Sequence, residues 1–179
     1  MLIPAEESGR RVITEITAAR QVVIVKQDPI KYTHAYTDIA GVSTVCDGLT
    51  RGVTRRTVMT PQQCDDVMEA ELAATATKVQ ACTPLDSAKY GYQLIAYVDF
   101  SYNLGTGAWC NSAAAHKVRI GSVVASCDLL LRYNKARVHG RLVPVADLTR
   151  RRKREQAYCR TGLVPGSTAG NLAARLKGL

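Results

Sequence analysis

The chain has 179 residues, of which 46% are apolar, and 24 Lys and Arg against 15 Asp and Glu give a formal net charge of +9. That apolar share supports a packed core and excludes a disordered or fibrous chain. No stretch approaches the roughly 18 consecutive apolar residues of a membrane-spanning helix, so no membrane span is expected. The length predicts one domain, and the positive charge favours a polyanionic partner such as nucleic acid, anionic lipid or a bacterial wall polymer.

The first predicted element is a helix from Arg11 to Lys26, because apolar residues recur there at helical spacing. Asp28 and Pro29 end it, since proline disfavours helical geometry in the residue before it. From Ile30 to Asp47 the composition turns to Tyr, Thr, Val and Ile, which favours short strands or a hairpin. A basic loop from Gly48 to Met59 follows.

Thr60, Pro61 and Gln63 form a helix start, with Thr60 as the N-cap and Pro61 at the first helical position. Thr83 and Pro84 end that helix. The next helix begins after Asp86. It ends at the turn Asn103–Gly107, where the glycines interrupt it. That turn predicts a corner between helices rather than a phosphate-binding loop, because no strand precedes it and no lysine follows in the required position.

The last third of the chain predicts further short helices. One covers about Ala108 to Val118 and a second begins after Ser122. A loop holds Gly140 and Pro144, and a basic helix then runs from about Ala146 to Cys159. Trp109, the only tryptophan, is expected in the core rather than as a platform for a sugar ring. The basic run Arg150–Arg154 is interpreted as the solvated face of a helix with Glu155 beside it, with contact to a polyanion as the alternative.

The cysteines predict disulfides rather than a metal site. None forms a C-x-x-C pair, and the three histidines, His34, His116 and His139, are far apart in the sequence. We therefore expect no metal ion and no cofactor. Six cysteines allow fifteen pairings, so the residues alone leave the connectivity open: Cys46, Cys64, Cys82, Cys110, Cys127 and Cys159.

Five segments of the chain carry a resemblance to a known family. They are AYTDIAGVSTVC (35–46), MTPQQCDDVMEAEL (59–72), LIAYVDFSYNLGTGAWC (94–110), CDLLLRYNKA (127–136) and DLTRRRKREQAYC (147–159). In the same order, they resemble the phage-type lysozymes of glycoside hydrolase family 24, the muramidases of tailed phages, and the match covers roughly residues 22 to 163. The resemblance implies an α+β, mainly α, lysozyme-like fold with a small N-terminal β-hairpin lobe and a helical C-terminal lobe.

On this resemblance residues 1–163 form one lysozyme-like domain and residues 164–179 a C-terminal tail. The β element covers about 30–50 and the helical bundle about 60–160. The six cysteines fall where cysteine-rich endolysins of this type place theirs. We expect Cys46 with Cys64, Cys82 with Cys159, and Cys110 with Cys127, which are one helical hairpin apart.

The resemblance also implies a site for hydrolysing a glycosidic bond, a reaction that usually needs two carboxyl groups. The family pattern is Glu-x8-Asp-x5-Thr, and Asp38 and Thr44 match its last two positions. Asp38 would orient the attacking water and Thr44 would help to hold it. In the ungapped register Pro29 stands where the Glu belongs. With one inserted residue, Asp28 becomes the acid, whereas its alternative role is to end a helix before proline.

A second departure follows directly, because the family usually continues with a Gly-Tyr-Gly-His-Thr type strand where this chain has CDGLT at 46–50. The histidine is absent and Asp47 is an additional acid. The sequence therefore leaves two functions open. One is a muramidase that binds and hydrolyses the peptidoglycan glycan strand. The other is a catalytically inactive lysozyme fold that serves as a structural component of a phage particle.

The partners expected on this basis are peptidoglycan or another anionic wall polymer, and, for the inactive alternative, other phage structural proteins. Nucleic acid is not expected, because the chain lacks the aromatic platforms and the clear recognition helix of nucleic-acid-binding proteins. The expected location is viral. The protein would lie in the virion, or in the host cytoplasm with release to the periplasm by a holin-like route.

Overall fold

The fold is α+β and mainly helical, and the computed structural model describes residues 12–16, 22–27, 32–38, 41–138 and 140–162. They form two compact units divided after Ala81. The strands pair as three two-stranded antiparallel sheets: β1 Val12–Ile16 with β2 Val22–Gln27, β3 Tyr36–Thr37 with β4 Ser43–Thr44, and β5 Lys135–Val138 with β6 Arg141–Pro144. The helices are α1 Pro61–Cys82, α2 Ser87–Leu104, α3 Thr106–Cys110, α4 Ala113–Arg119, α5 Val123–Leu129, a 3-10 turn Leu130–Arg132, and α6 Ala146–Thr161.

The helix predicted for 11–26 is wrong, because the described residues of that stretch are the paired strands β1 and β2. Val, Ile and Thr make up most of the two strands. Side chains branched at Cβ lose rotamer freedom in a helix and pack well on a pleated surface. The helical spacing of a few apolar positions was therefore the weaker signal.

The short strands or hairpin favoured by the composition from Ile30 to Asp47 are present as the hairpin β3–β4. On the other side of β3, the backbone of Thr33 and Ala35 bonds to that of Met59 and Thr57. Below this small sheet lies a core of Val45, Cys46, Leu49 and Cys64. The expected Cys46–Cys64 disulfide joins the segment after β4 to the first turn of α1.

The start of α1 follows the sequence prediction. Gln63 Oε1 accepts from the Thr60 backbone N–H at 2.8 Å, and Thr60 Oγ1 accepts from the Gln63 N–H at 3.2 Å. These reciprocal bonds are a capping box, which binds two backbone donors that a helix start would otherwise leave unpaired. The helix ends at Cys82, directly before the predicted stop at Thr83 and Pro84.

The core of the second unit is aromatic. The ring of Trp109 stacks on Tyr97 with centroids 4.3 Å apart and meets Phe100 edge to face. Trp109 is fully buried, and its Nε1 donates to Thr83 Oγ1 at 3.0 Å. Its expected place in the core is confirmed. Gly105, at φ +89°, forms the predicted corner between α2 and α3.

Two boundaries differ from the prediction. The helix expected over Ala108–Val118 is interrupted at Asn111 and Ser112, because Ser112 accepts from the Ala115 N–H at 2.9 Å and so caps a new helix. The loop expected around Gly140 and Pro144 is wrong, since this segment forms β5 and β6.

Two of the three expected disulfides are wrong. Cys82 pairs with Cys110 and Cys127 pairs with Cys159, each with Cα atoms 5.7 Å apart. The Trp109–Thr83 hydrogen bond holds α3 against the segment after α1, which brings Cys110 to Cys82 rather than to α5. These contacts link residues far apart in the chain, so the disulfide pairing cannot be predicted from the cysteine spacing alone.

Candidate active site

The loop between β3 and β4 is organised by Asp38. Its Oδ1 accepts from the Val42 N–H at 2.8 Å, and its own N–H donates to the Val42 carbonyl at 2.9 Å. The Gly41 N–H donates to the Asp38 carbonyl at 3.0 Å, and Gly41 has φ +81°, a conformation that suits glycine. The Asp38 carboxylate is thus held in one position by the turn that it closes.

Thr44 contacts the same loop from β4. Its Oγ1 donates to the Val42 carbonyl at 3.2 Å, and its side chain is only 3% exposed. Across the hairpin Thr44 pairs with Tyr36, two residues before Asp38. The structure therefore brings Asp38 and Thr44 to one short loop, where both bind the backbone of Val42.

The CDGLT segment that follows is tightly built. Val45 and Leu49 exchange backbone hydrogen bonds, and between them Cys46 has φ +57°. Glycine is the residue that adopts such a conformation without strain, and glycine occupies this position in the family pattern quoted above. The disulfide to Cys64 holds Cys46 there. Asp47 is 1% exposed, so its carboxyl belongs to the interior of this turn.

The remaining two positions of the predicted site, Asp28 and Pro29, lie outside the described residues. The assignment of Asp28 as the acid therefore stays a prediction. As for metals, the described residues contain no group of three or more His, Cys, Asp or Glu side chains placed to hold an ion.

A second cluster of charged side chains lies in the interior of the second unit. Arg151 donates from Nη2 to Asp99 Oδ1 at 3.0 Å and from Nε to Glu155 Oε1 at 3.3 Å. Arg152 donates from Nη2 to the same Glu155 oxygen at 2.8 Å and to Asn103 Oδ1 at 2.7 Å. Its guanidinium also lies over the ring of Phe100, 4.8 Å from the centroid.

The interpretation of Arg150–Arg154 as a solvated face is wrong for Arg151 and Arg152. Both are buried, as are Asp99 and Glu155. Arg150 remains exposed and bonds Asp147. The basic run is thus divided between a buried ion cluster and an exposed edge, because Asp99, in the apolar stretch 94–100 of α2, supplies an acidic partner from a distant part of the chain.

Burial raises the pKa of the Glu155 carboxyl well above its ordinary value, and the Asp99 carboxylate raises it further, while Arg152 and Arg151 oppose the shift. At the surface the direction reverses. A hydrogen bond from Arg160 lowers the pKa of Asp128, and Gln156 donates to the same carboxylate. Asp128 thus ties the helix carrying Cys127 to the helix carrying Cys159.

The first unit also has an open groove of about 310 Å³ along α1, bordered by the basic loop. Arg51 and Glu71 face each other across it at 3.7 Å. Its lining includes a further acid, Asp66, and a further cation, Lys78. Because the two signs of charge are balanced there, the groove itself does not favour a polyanion.

The model of the phage lysozyme family matches residues 31–155, which include both Asp38 and Thr44. The chain belongs to this family. Its SAR-endolysin relative from Pseudomonas phage phiKMV is 32% identical over 143 residues, which make up 78% of this chain and 84% of the relative.

Solved structures share the fold of this chain. The endolysin from Escherichia coli O157:H7 phage FAHEc1 superposes with a TM-score of 0.67 at 23% identity, covering 74% of this chain and 85% of that one. The muramidase domain of SpmX from Asticaccaulis excentricus has a TM-score of 0.63 at 23% identity, covering 73% and 87%. The lysozyme-like fold expected from the sequence is thereby confirmed.

The buried ion cluster is the feature that sequence reasoning missed. Two signals were available in the sequence. One is that Arg151 and Glu155 stand four residues apart on one helix, so their side chains can meet. The other was Asp99, a charged residue within the apolar run of α2, where a carboxylate needs a cationic partner. Neither signal says that the two helices meet at these positions.

Proposed function

We propose that this phage lysozyme is a muramidase that hydrolyses the glycan strand of peptidoglycan. The observation that carries the proposal is the hairpin geometry, in which Asp38 and Thr44 both bind the backbone of Val42 within the family match. A carboxylate and a hydroxyl that are both held by the backbone of one residue suit the positioning of one water molecule.

The donor directions suit that task. Thr44 uses its hydroxyl hydrogen on the Val42 carbonyl, so towards a further molecule its oxygen can only accept. The Asp38 carboxylate, when ionised, is likewise an acceptor. A water molecule that donates one hydrogen to each would direct a lone pair away from both, towards the anomeric carbon of a bound sugar. Asp38 then receives the proton as the water attacks.

The leaving oxygen needs a proton from a second carboxyl group. We propose Asp28 for this role, in the register that allows one inserted residue before Ala35. Asp28 must remain protonated until the bond breaks, which requires a raised pKa. If Pro29 occupies the family's glutamate position instead, the acid is missing, and the inactive particle component becomes the function.

The decisive experiment measures the release of soluble fragments with new reducing ends from purified peptidoglycan. Wild type should release them, and Asp38→Asn should reduce the rate by about 10²-fold or more. The Asn side chain keeps an oxygen for the Val42 N–H, so it preserves the loop and removes only the charge. Asp28→Asn should lower the rate comparably, and Thr44→Val should lower it less.

Asp86→Asn is the matched control. Asp86 also accepts a local backbone N–H, from Ala88 at 2.9 Å, where it caps α2. This variant should keep wild-type activity. Full activity of Asp38→Asn would refute the role of Asp38, and full activity of Asp28→Asn would place the acid elsewhere. A folded but inactive wild type would establish the alternative of a fold without chemistry.

The place of action follows from the substrate. The protein would be made from a phage genome in the host cytoplasm and would reach the wall after release. The endolysin names of the relatives support this location. A virion location would require stoichiometric copies of the chain in purified particles, which a quantitative blot against a capsid protein would measure.

A further inference from the structure

The β5–β6 hairpin exposes one face with an unusual composition. Residues paired across the two strands share a face, and the register pairs Lys135 with Pro144 and Arg137 with Leu142. All four are exposed, and the Leu142 side chain is 61% exposed. Ala136 and Val143, which pair on the opposite face, are partly buried. We call Lys135, Arg137, Leu142 and Pro144 the hairpin face.

The positive charge of the hairpin face is not balanced locally. The sequence from Leu129 to Ala146 contains no acidic residue. The flanking acids already have cationic partners, because Asp128 binds Arg160 and Asp147 binds Arg150. Within the described part of the chain, Lys135 and Arg137 form no ion pair. Arg137 reaches only the Gly140 carbonyl, at 3.2 Å, across the turn.

We propose that the hairpin face binds an anionic phospholipid surface. Cations alone would suit any polyanion, but here an exposed leucine lies directly across the ladder from an arginine. A membrane interface offers phosphate groups for Lys135 and Arg137 and, a few ångströms deeper, an apolar layer for Leu142. A glycan or wall polymer offers no such layer. The binding is independent of the hydrolytic function and would hold the protein at the membrane that borders the wall.

The test is co-sedimentation of the full chain with sucrose-loaded vesicles, either of phosphatidylcholine alone or of equal parts phosphatidylcholine and phosphatidylglycerol. Wild type should bind the anionic vesicles and not the neutral ones. The double variant Lys135→Ala/Arg137→Ala should bind roughly 25-fold more weakly, from roughly fivefold for each cation near an anionic membrane. Leu142→Ser, with all charges retained, should also bind the anionic vesicles more weakly.

The matched control removes two exposed cations from the basic loop, as Arg55→Ala/Arg56→Ala. It has the same net charge as the first double variant. Equal weakening by the two double variants would attribute binding to net charge and overturn the proposal. Unchanged vesicle binding by Leu142→Ser, with pelleting on peptidoglycan lost in Lys135→Ala/Arg137→Ala, would assign the hairpin face to the wall and overturn it as well. Because the test measures vesicle binding, its result does not depend on whether the protein hydrolyses peptidoglycan.

Discussion

Nη2 of Arg152 lies 2.8 Å from Oε1 of Glu155, and both side chains are completely buried. Such a pair places a titratable group where water cannot screen it. Since burial and Asp99 raise the pKa of Glu155 in the folded state, the folded chain holds this proton at pH values where the unfolded chain has released it.

The free energy of unfolding of the wild type should therefore include a contribution that falls as pH rises. The contribution is complete below the unfolded pKa of about 4.5 and is lost as pH rises through the higher folded pKa. Glu155→Gln cannot titrate and should lack this slope in urea unfolding measured from pH 4 to pH 8. Glu69→Gln, at an exposed position, should retain it. An unchanged slope in Glu155→Gln would contradict the assignment.

Asp128 should show the opposite sign. Its pKa is lowered in the folded state, chiefly by Arg160, so its contribution to stability is present above the ordinary pKa and is lost as pH falls through the folded value. Both side chains are about half exposed, which limits the coupling to about 1 kcal/mol or less. A double-mutant cycle with Asp128→Asn and Arg160→Gln at pH 7 and pH 3 measures it. A coupling energy as large at pH 3 as at pH 7 would be inconsistent with an ion pair between the Asp128 carboxylate and Arg160.

Gly162 should tolerate alanine worse than Gly52. Both have φ +71°, which costs other residues about 1–2 kcal/mol, but an added Cβ would meet open space at Gly52 and the Tyr92 ring at 2.5 Å at Gly162. Overpacking adds roughly 1–3 kcal/mol. Chemical denaturation should rank Gly162→Ala as the less stable variant. Adding Tyr92→Ala should recover part of the loss, and a strictly additive double variant would rule out the contact.

Replacing the Cys127–Cys159 disulfide by two alanines should lower the free energy of unfolding by about 3.7 kcal/mol, because the bridge closes a 32-residue separation. The Cys46–Cys64 bridge closes 18 residues and should contribute about 3.2 kcal/mol. Urea unfolding of both double-alanine variants gives the order. A larger loss at 46–64 would show that local packing, not chain entropy, dominates there.

The features that could be predicted from sequence are those whose causes lie within a few residues. Thr60 and Gln63 specify the start of α1 by bonding each other, and no other part of the chain is needed. The positions of Asp38 and Thr44 on one hairpin followed from a family pattern of fixed spacing, which the turn preserves.

Two of the wrong predictions share another cause. Arg151 and Arg152 are buried only because Asp99 and Asn103 lie opposite them on α2, and no local pattern encodes that meeting. The same holds for Cys82, which is brought to Cys110 by contacts of α3. The helix predicted where β1 and β2 lie was wrong for a different reason. A short apolar pattern fits both helical and strand spacing.

The three disulfides join consecutive cysteines along the chain, 46 with 64, 82 with 110 and 127 with 159. No bridge spans another. A chain that enters an oxidising compartment from its N-terminus can therefore close every native loop before the next pair arrives. The connectivity can be reached by order of emergence alone, without a reshuffling step.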